Sequence, residues 1–150
     1  MPDLLAGTLV KALDFPPSWY AAEDTLQTGV SSTSYTAPTN ACSVTFTAPT
    51  SGRVKLIVGG GFRDTSGDDQ GFITAEIREN NVSGSIVLGA SAYRNGYISE
   101  PEASDYLYHS RITLVEGLTP GQTYFARILI KVDGGAADLR SKNLAVIPVP

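Results

Sequence analysis

The sequence predicts an all-β fold, a jelly-roll or Greek-key β-sandwich of about eight strands with an N-terminal extended arm. Three observations point there. Strand-like segments recur at intervals of roughly ten residues, the spacing of a sandwich or barrel. Charged residues make up only 17% of the chain, and no long stretch carries a helical period of apolar residues. Leu118, Pro120, Gly121 and Tyr124 form a Leu-x-Pro-Gly-x-x-Tyr turn, the signature of a tyrosine corner, in which the phenol hydroxyl bonds back to the backbone just upstream.

Residues 1–25 read as an arm for attachment or oligomerisation, followed by a sandwich domain over 26–150. Pro16 and Pro17 hold Phe15 extended. The window 18–27 offers Ser18 as an N-cap and acidic Glu23 and Asp24, but it is too short for more than a turn or loop. Leu9, Val10, Phe15 and Trp19 are the apolar side chains with which such an arm would hold on.

The first strand is expected over 30–35, rich in residues suited to a pleated surface, and the second over 44–47, which alternates cleanly. A turn written in Pro49 and Gly52 leads to the central strand, 53–58. There the pattern passes from alternating to continuously apolar, as a strand does on entering a buried setting. Gly59, Gly60 and Gly61 then imply a bulge or a close backbone approach. Period two resumes over 71–79, and further strands follow over 85–92, 105–115, 122–132 and 144–149.

A chain of 150 residues is the size of one domain with one core. Its net charge of -4 lacks the basic field that attracts phosphate backbones, so nucleic acid is not an expected partner. The apolar runs are too short to cross a bilayer, and the start of the chain lacks the basic and apolar segments of a secretory signal. Cys42, the single cysteine, is expected as a buried structural thiol.

Catalytic chemistry finds no constellation. His109 is the single histidine and sits inside a strand with no nucleophile motif to serve. One histidine and one cysteine cannot fill a zinc tetrahedron. Asp64, Asp68 and Asp69 cluster in a loop with calcium-type ligand chemistry but without calcium-hand spacing, and an acidic hairpin tip is the favoured reading. Glu100 and Glu102 flank Pro101 as solvated loop charges. No enzyme activity, metal or cofactor is therefore expected. Tyr93, Arg94 and Tyr97 are candidate contacts for a glycan or protein partner, within a tyrosine-rich stretch that runs to Tyr108. Tyr106 and Tyr108, which share a strand face, are either packing or a stacking platform, with packing the favoured reading.

The segment from Phe46 through Pro49 and Gly52 into residues 54–58 resembles the strand-turn-strand opening of trimeric jelly rolls of the C1q and tumour-necrosis-factor type. Residues 5–15, Leu-Ala-Gly-Thr-Leu-Val-Lys-Ala-Leu-Asp-Phe, look like a stretch near the start of bacteriophage tail and tail-fibre proteins. With Phe15-Pro16-Pro17, Ala48-Pro49-Thr50-Ser51-Gly52-Arg53-Val54 and the terminal Val146-Ile147-Pro148-Val149-Pro150, the chain is similar to small virion structural proteins of actinobacterial phages. That resemblance implies a capsid-decoration, head-fibre, tail-fibre or minor tail subunit. It would be homotrimeric, located on the virion and assembled in the host cytoplasm, with other virion proteins as partners. The alternative is a carbohydrate-binding module recognising a cell-surface glycan.

Overall fold

Ten strands and one helical turn follow one another in the computed structural model, which describes residues 16–65, 69–100 and 105–150. The strands are β1 (Trp19–Glu23), β2 (Gln27–Val30), β3 (Ser43–Thr47), β4 (Val54–Asp64), β5 (Gly71–Glu79) and β6 (Ile86–Leu88). After the turn α1 (Ala92–Asn95) come β7 (Gly96–Ser99), β8 (Leu107–Val115), β9 (Thr123–Val132) and β10 (Ala137–Pro148).

Two antiparallel sheets result. The first runs β1-β10-β4-β8, with β2 also on β10; the second runs β3-β9-β5-β6, with β7 also on β5. Because β1 and β2 lie end to end along β10, and β6 and β7 likewise along β5, the ten strands fill eight positions, four per sheet. Successive positions alternate between the sheets except for the β5 to β6 step, which is the jelly-roll winding.

Alternate residues of each central strand meet between the sheets. Leu56 and Val58 of β4, Ile73 and Ile77 of β5, Ile128 and Ile130 of β9, and Leu139 and Leu144 of β10 are buried in one core. The tyrosine corner is present: the Thr119 amide donates to the Tyr124 hydroxyl at 2.9 Å, and the Tyr124 ring stacks on Phe46 with centroids 5.6 Å apart. Tyr124→Phe strands that amide and is expected to lower the unfolding free energy by about 1–2 kcal/mol. Urea denaturation reads the change, and an unmoved midpoint would show that the hydroxyl contributes nothing.

One irregularity shapes the first sheet. Arg140 faces Gly61 and Asn143 faces Gly59, so β10 carries one residue more than β4 at this point, with Ser141 at φ 54. The extra residue reverses the alternation, so that Ala137 and Leu139 point inward before it and Leu144 and Val146 after it. It also turns Lys142 inward, where its ammonium donates to the Thr25 carbonyl at 3.2 Å. Burial pulls the Lys142 pKa down against the opposing pull of Glu23. The gap between β1 and β2 lies opposite this bulge.

Several expectations need correction. Residues 31–35 are not a strand: β2 ends at Val30, and beyond it only Thr36 makes an isolated bridge, to Ile130. The segment 18–27 is neither turn nor arm but β1 and the start of β2, so the sandwich begins by Trp19 rather than at residue 26. The strand expected over 85–92 shrinks to Ile86–Leu88, and that over 144–149 extends back to Ala137. Cys42 is buried as expected, and burial pushes its thiol up to about 11.

Candidate binding face

The outer surfaces of the two sheets differ. On the second sheet the chain covers itself over β5 and β9, while Ile86 and Val87 of the edge strand β6 stay exposed. Lys131 lies over the rings of Phe72 and Tyr35, and the Tyr35 hydroxyl accepts the Ala92 amide at 3.0 Å. Glu76, almost fully buried, accepts from Arg78 at 2.6 Å and Arg127 at 2.9 Å. Thr74 accepts the Ser91 amide at 3.1 Å and is itself buried.

On the first sheet the outward residues are largely open. Tyr20 of β1, Ala145 of β10, Ile57 of β4 and Ile112 of β8 sit opposite one another in a single row across four strands. The next row holds Ile147, Lys55 and Leu114. Tyr20 is 68% exposed, Ile112 63% and Leu114 51%. Among the described residues β8 pairs with β4 alone, and Thr113 near its end donates to the Arg94 carbonyl of α1 at 3.2 Å.

The other end of this face has a different floor. A Cβ on Gly59 would meet the Asn143 amide oxygen at 2.7 Å, and one on Gly61 would meet the Tyr108 ring at 2.5 Å. The two glycines thus let an amide and an aromatic ring lie directly on the strand. Tyr106 is 6.1 Å from Tyr108, and the guanidinium groups of Arg63 and Arg140 stand 5.0 and 5.4 Å from the Tyr106 centroid. Arg63 is ion-paired to Asp138, whose other oxygen accepts the Gly29 amide. Burial raises the Tyr106 pKa, partly offset by the neighbouring arginines.

The residues singled out in the sequence fall in several places. Tyr93 and Arg94 are exposed on α1, but Tyr97 turns inward and donates to the Gly60 carbonyl at 2.6 Å. Burial pushes the Tyr97 phenol well above its usual range. The three therefore do not form one surface. His109 is exposed and meets the Tyr97 ring edge-on at 5.6 Å. Trp19 packs on Phe46 at 5.8 Å as part of the sandwich; Leu9, Val10 and Phe15 lie outside the described residues.

Asp68 and Glu102 also lie outside them, while Asp64 is buried at the end of β4 and Glu100 accepts from Gln70. Among the described residues no three His, Cys, Asp or Glu side chains converge as metal ligands. Sequence reasoning favoured packing over a platform for Tyr106 and Tyr108 and overlooked Arg63, Arg140 and Asn143. The glycine triplet was the available signal, since it marks where neighbouring side chains can lie on the backbone.

No protein-family model and no curated protein matches the chain. Among solved structures, a chain of infectious bursal disease virus, Gx strain, is similar over 99% of this chain and 37% of its own length, with a TM-score of 0.56 and 16% identity. The CBM22-1 xylan-binding domain of Paenibacillus barcinonensis Xyn10C aligns over 87% of both chains, with a TM-score of 0.40 and 10% identity. The enzymatically active domain of bacteriophage CBA120 tailspike protein 4 aligns over 87% of this chain and 19% of its own, with a TM-score of 0.40 and 13% identity. The last two likenesses are too loose to carry an argument. The first shows a shared sandwich fold, with this chain spanning 37% of the viral chain's length.

Proposed function

We propose that this chain is a non-enzymatic structural subunit of a bacteriophage particle, a capsid-decoration, head-fibre or tail-fibre protein. It attaches through the segment before residue 16 and packs as a homotrimer through the apolar half of the first sheet's outward face. The observation that carries this reading is the asymmetry of the sandwich. One outer face is covered by the chain over β5 and β9 and exposes Ile86 and Val87 at its β6 edge, while the other presents Tyr20, Ile57, Ile112, Leu114 and Ile147 beside a strand edge that is unpaired among the described residues. Contiguous apolar surface of this kind marks an interaction site, and an open edge invites pairing unless something covers it. The fold shared with a virus-particle chain supports the same reading.

Light scattering at micromolar concentration is expected to give about three times the chain mass of 15.8 kDa. Ile57→Asp combined with Ile112→Asp, which puts two carboxylates in the middle of the apolar row, is expected to yield a folded monomer. A monomeric unaltered chain would overturn the copy-to-copy interface. An antibody against the domain is expected to decorate intact particles, and antigen confined to the soluble lysate would overturn the particle assignment.

A further inference from the structure

We infer that the glycine-floored end of the first sheet's outward face, built on Tyr108, Tyr106, Asn143, Ser110 and Arg140, is a binding platform for carboxylate-bearing saccharides. The site begins one row beyond the apolar row, Ser110 being two residues from Ile112 on β8, and it rests on its own residues rather than on the assembly reading.

The aromatic part comes from Tyr108. Its ring lies over Gly61, where no side chain lifts it from the sheet, and the residue remains 53% exposed. An aromatic surface seated on a strand offers a pyranose ring a place to stack its C–H face. Tyr106, 6.1 Å away, extends the aromatic surface.

The polar part surrounds it. Asn143 lies over Gly59, the glycine two residues along β4, and Ser110 faces that same glycine from β8. Two residues along a strand span roughly 7 Å, about one sugar ring, so hydroxyls of a saccharide on Tyr108 reach the amide and the serine hydroxyl.

The charge comes from Arg140, which faces Gly61 from β10 on the other side. Of the two guanidinium groups beside Tyr106, Arg63 already has Asp138 as its ion-pair partner. Arg140 is exposed and has no carboxylate partner among the described residues. On a chain of net charge -4 an arginine with no carboxylate partner among the described residues, beside an aromatic platform, selects an anionic ligand locally. A planar carboxylate matches its fork, and a uronic or sialic acid supplies both the carboxylate and the ring.

The test is a glycan microarray carrying neutral, uronate-containing and sialylated saccharides, probed with the fluorescently labelled full chain. Binding is expected to carboxylated saccharides over their neutral counterparts. Tyr108→Ala is expected to weaken it by about tenfold or more, while Tyr108→Phe retains most of it. Arg140→Ala is expected to abolish the preference for carboxylated saccharides, and Tyr93→Ala to leave binding unchanged.

Circular dichroism establishes that each variant is folded. Should Tyr108→Ala fail to fold, Arg140→Ala and Asn143→Ala at the rim make the same test. No saccharide bound, a preference for neutral saccharides, or folded platform variants that bind like the unaltered chain would each overturn the inference.

Discussion

Phe46→Ala is expected to cost about 4 kcal/mol of folding free energy and to lower the melting temperature by roughly 10 °C. The side chain is only 1% exposed and lies between two aromatic partners, the Trp19 ring at 5.8 Å and the Tyr124 ring at 5.6 Å. Trp19 belongs to an edge strand of the first sheet, whereas Phe46 and Tyr124 sit on adjacent strands of the second. Truncation therefore removes an aromatic contact that ties the two sheets together at this end. The neighbouring backbones cannot close the gap, because both are fixed by their own ladders. Differential scanning calorimetry at fixed chain concentration measures the loss. A drop below about 2 kcal/mol would mean that Trp19 swings in to fill the space.

Glu76→Ala is expected to cost about 3 kcal/mol at neutral pH, the lower end for a broken buried ion pair, because Arg78 and Arg127 remain 19% and 21% exposed. Without the carboxylate, Arg78 keeps its bond to the Gly84 carbonyl, but Arg127 loses its side-chain acceptor among the described residues. The effect depends on pH in a definite direction. Burial alone would raise the Glu76 pKa, yet hydrogen bonds from the two arginines outweigh it and hold the carboxyl below its ordinary value of 4.5. A carboxyl held low stabilises the fold fully above that ordinary value and loses its contribution as the pH falls through the lowered one. The gap between Glu76→Ala and the unaltered chain should accordingly narrow below pH 4.5. Urea titrations at a series of pH values measure this, and a gap that stays constant into acid would contradict the ion-pair account.

The strands easiest to read from sequence were those with a second sheet over one face throughout. β3, β5 and β9 differ from their expected bounds by at most one residue, because a core on one side imposes a period of two. β10 was half hidden. Its bulge shifts the inward set from Ala137 and Leu139 to Leu144 and Val146, so the apolar period breaks in the middle and only the second half reads as a strand. β1 was missed for a different reason. Its half-buried positions are Trp19, Ala21 and Glu23 and its exposed ones Tyr20 and Ala22, so an aromatic and an alanine stand on each side and the pattern does not distinguish inside from outside.

The candidate site was obscured by the same physics at the other edge. Tyr106 and Tyr108 sit on one face of a segment that alternates like any half-buried strand, and from the chain alone that face could as well have been the inner one. In the fold, all residues from Leu107 through Ile112 are exposed, inward-facing and outward-facing alike. Sequence shows which residues share a face, but not which face the second sheet covers. The tyrosine corner was legible because its geometry is local: Thr119 and Tyr124 are five positions apart, and the turn between them determines the bond.

The end-to-end placement of β1 and β2 along β10 has a mechanical consequence. Any load entering the domain from residue 16 arrives first at Trp19, the terminal rung of a ladder of five antiparallel pairs running from Trp19–Val146 to Glu23–Lys142. Tension along the strand axis strains all five rungs together, in shear, while a sideways pull peels them one after another. In either direction the first rung is held by a tryptophan lodged against Phe46, so the sandwich grips its tether by a side chain as well as by backbone. Such a domain would yield most readily to a transverse tug and hold best along the long axis of its first sheet.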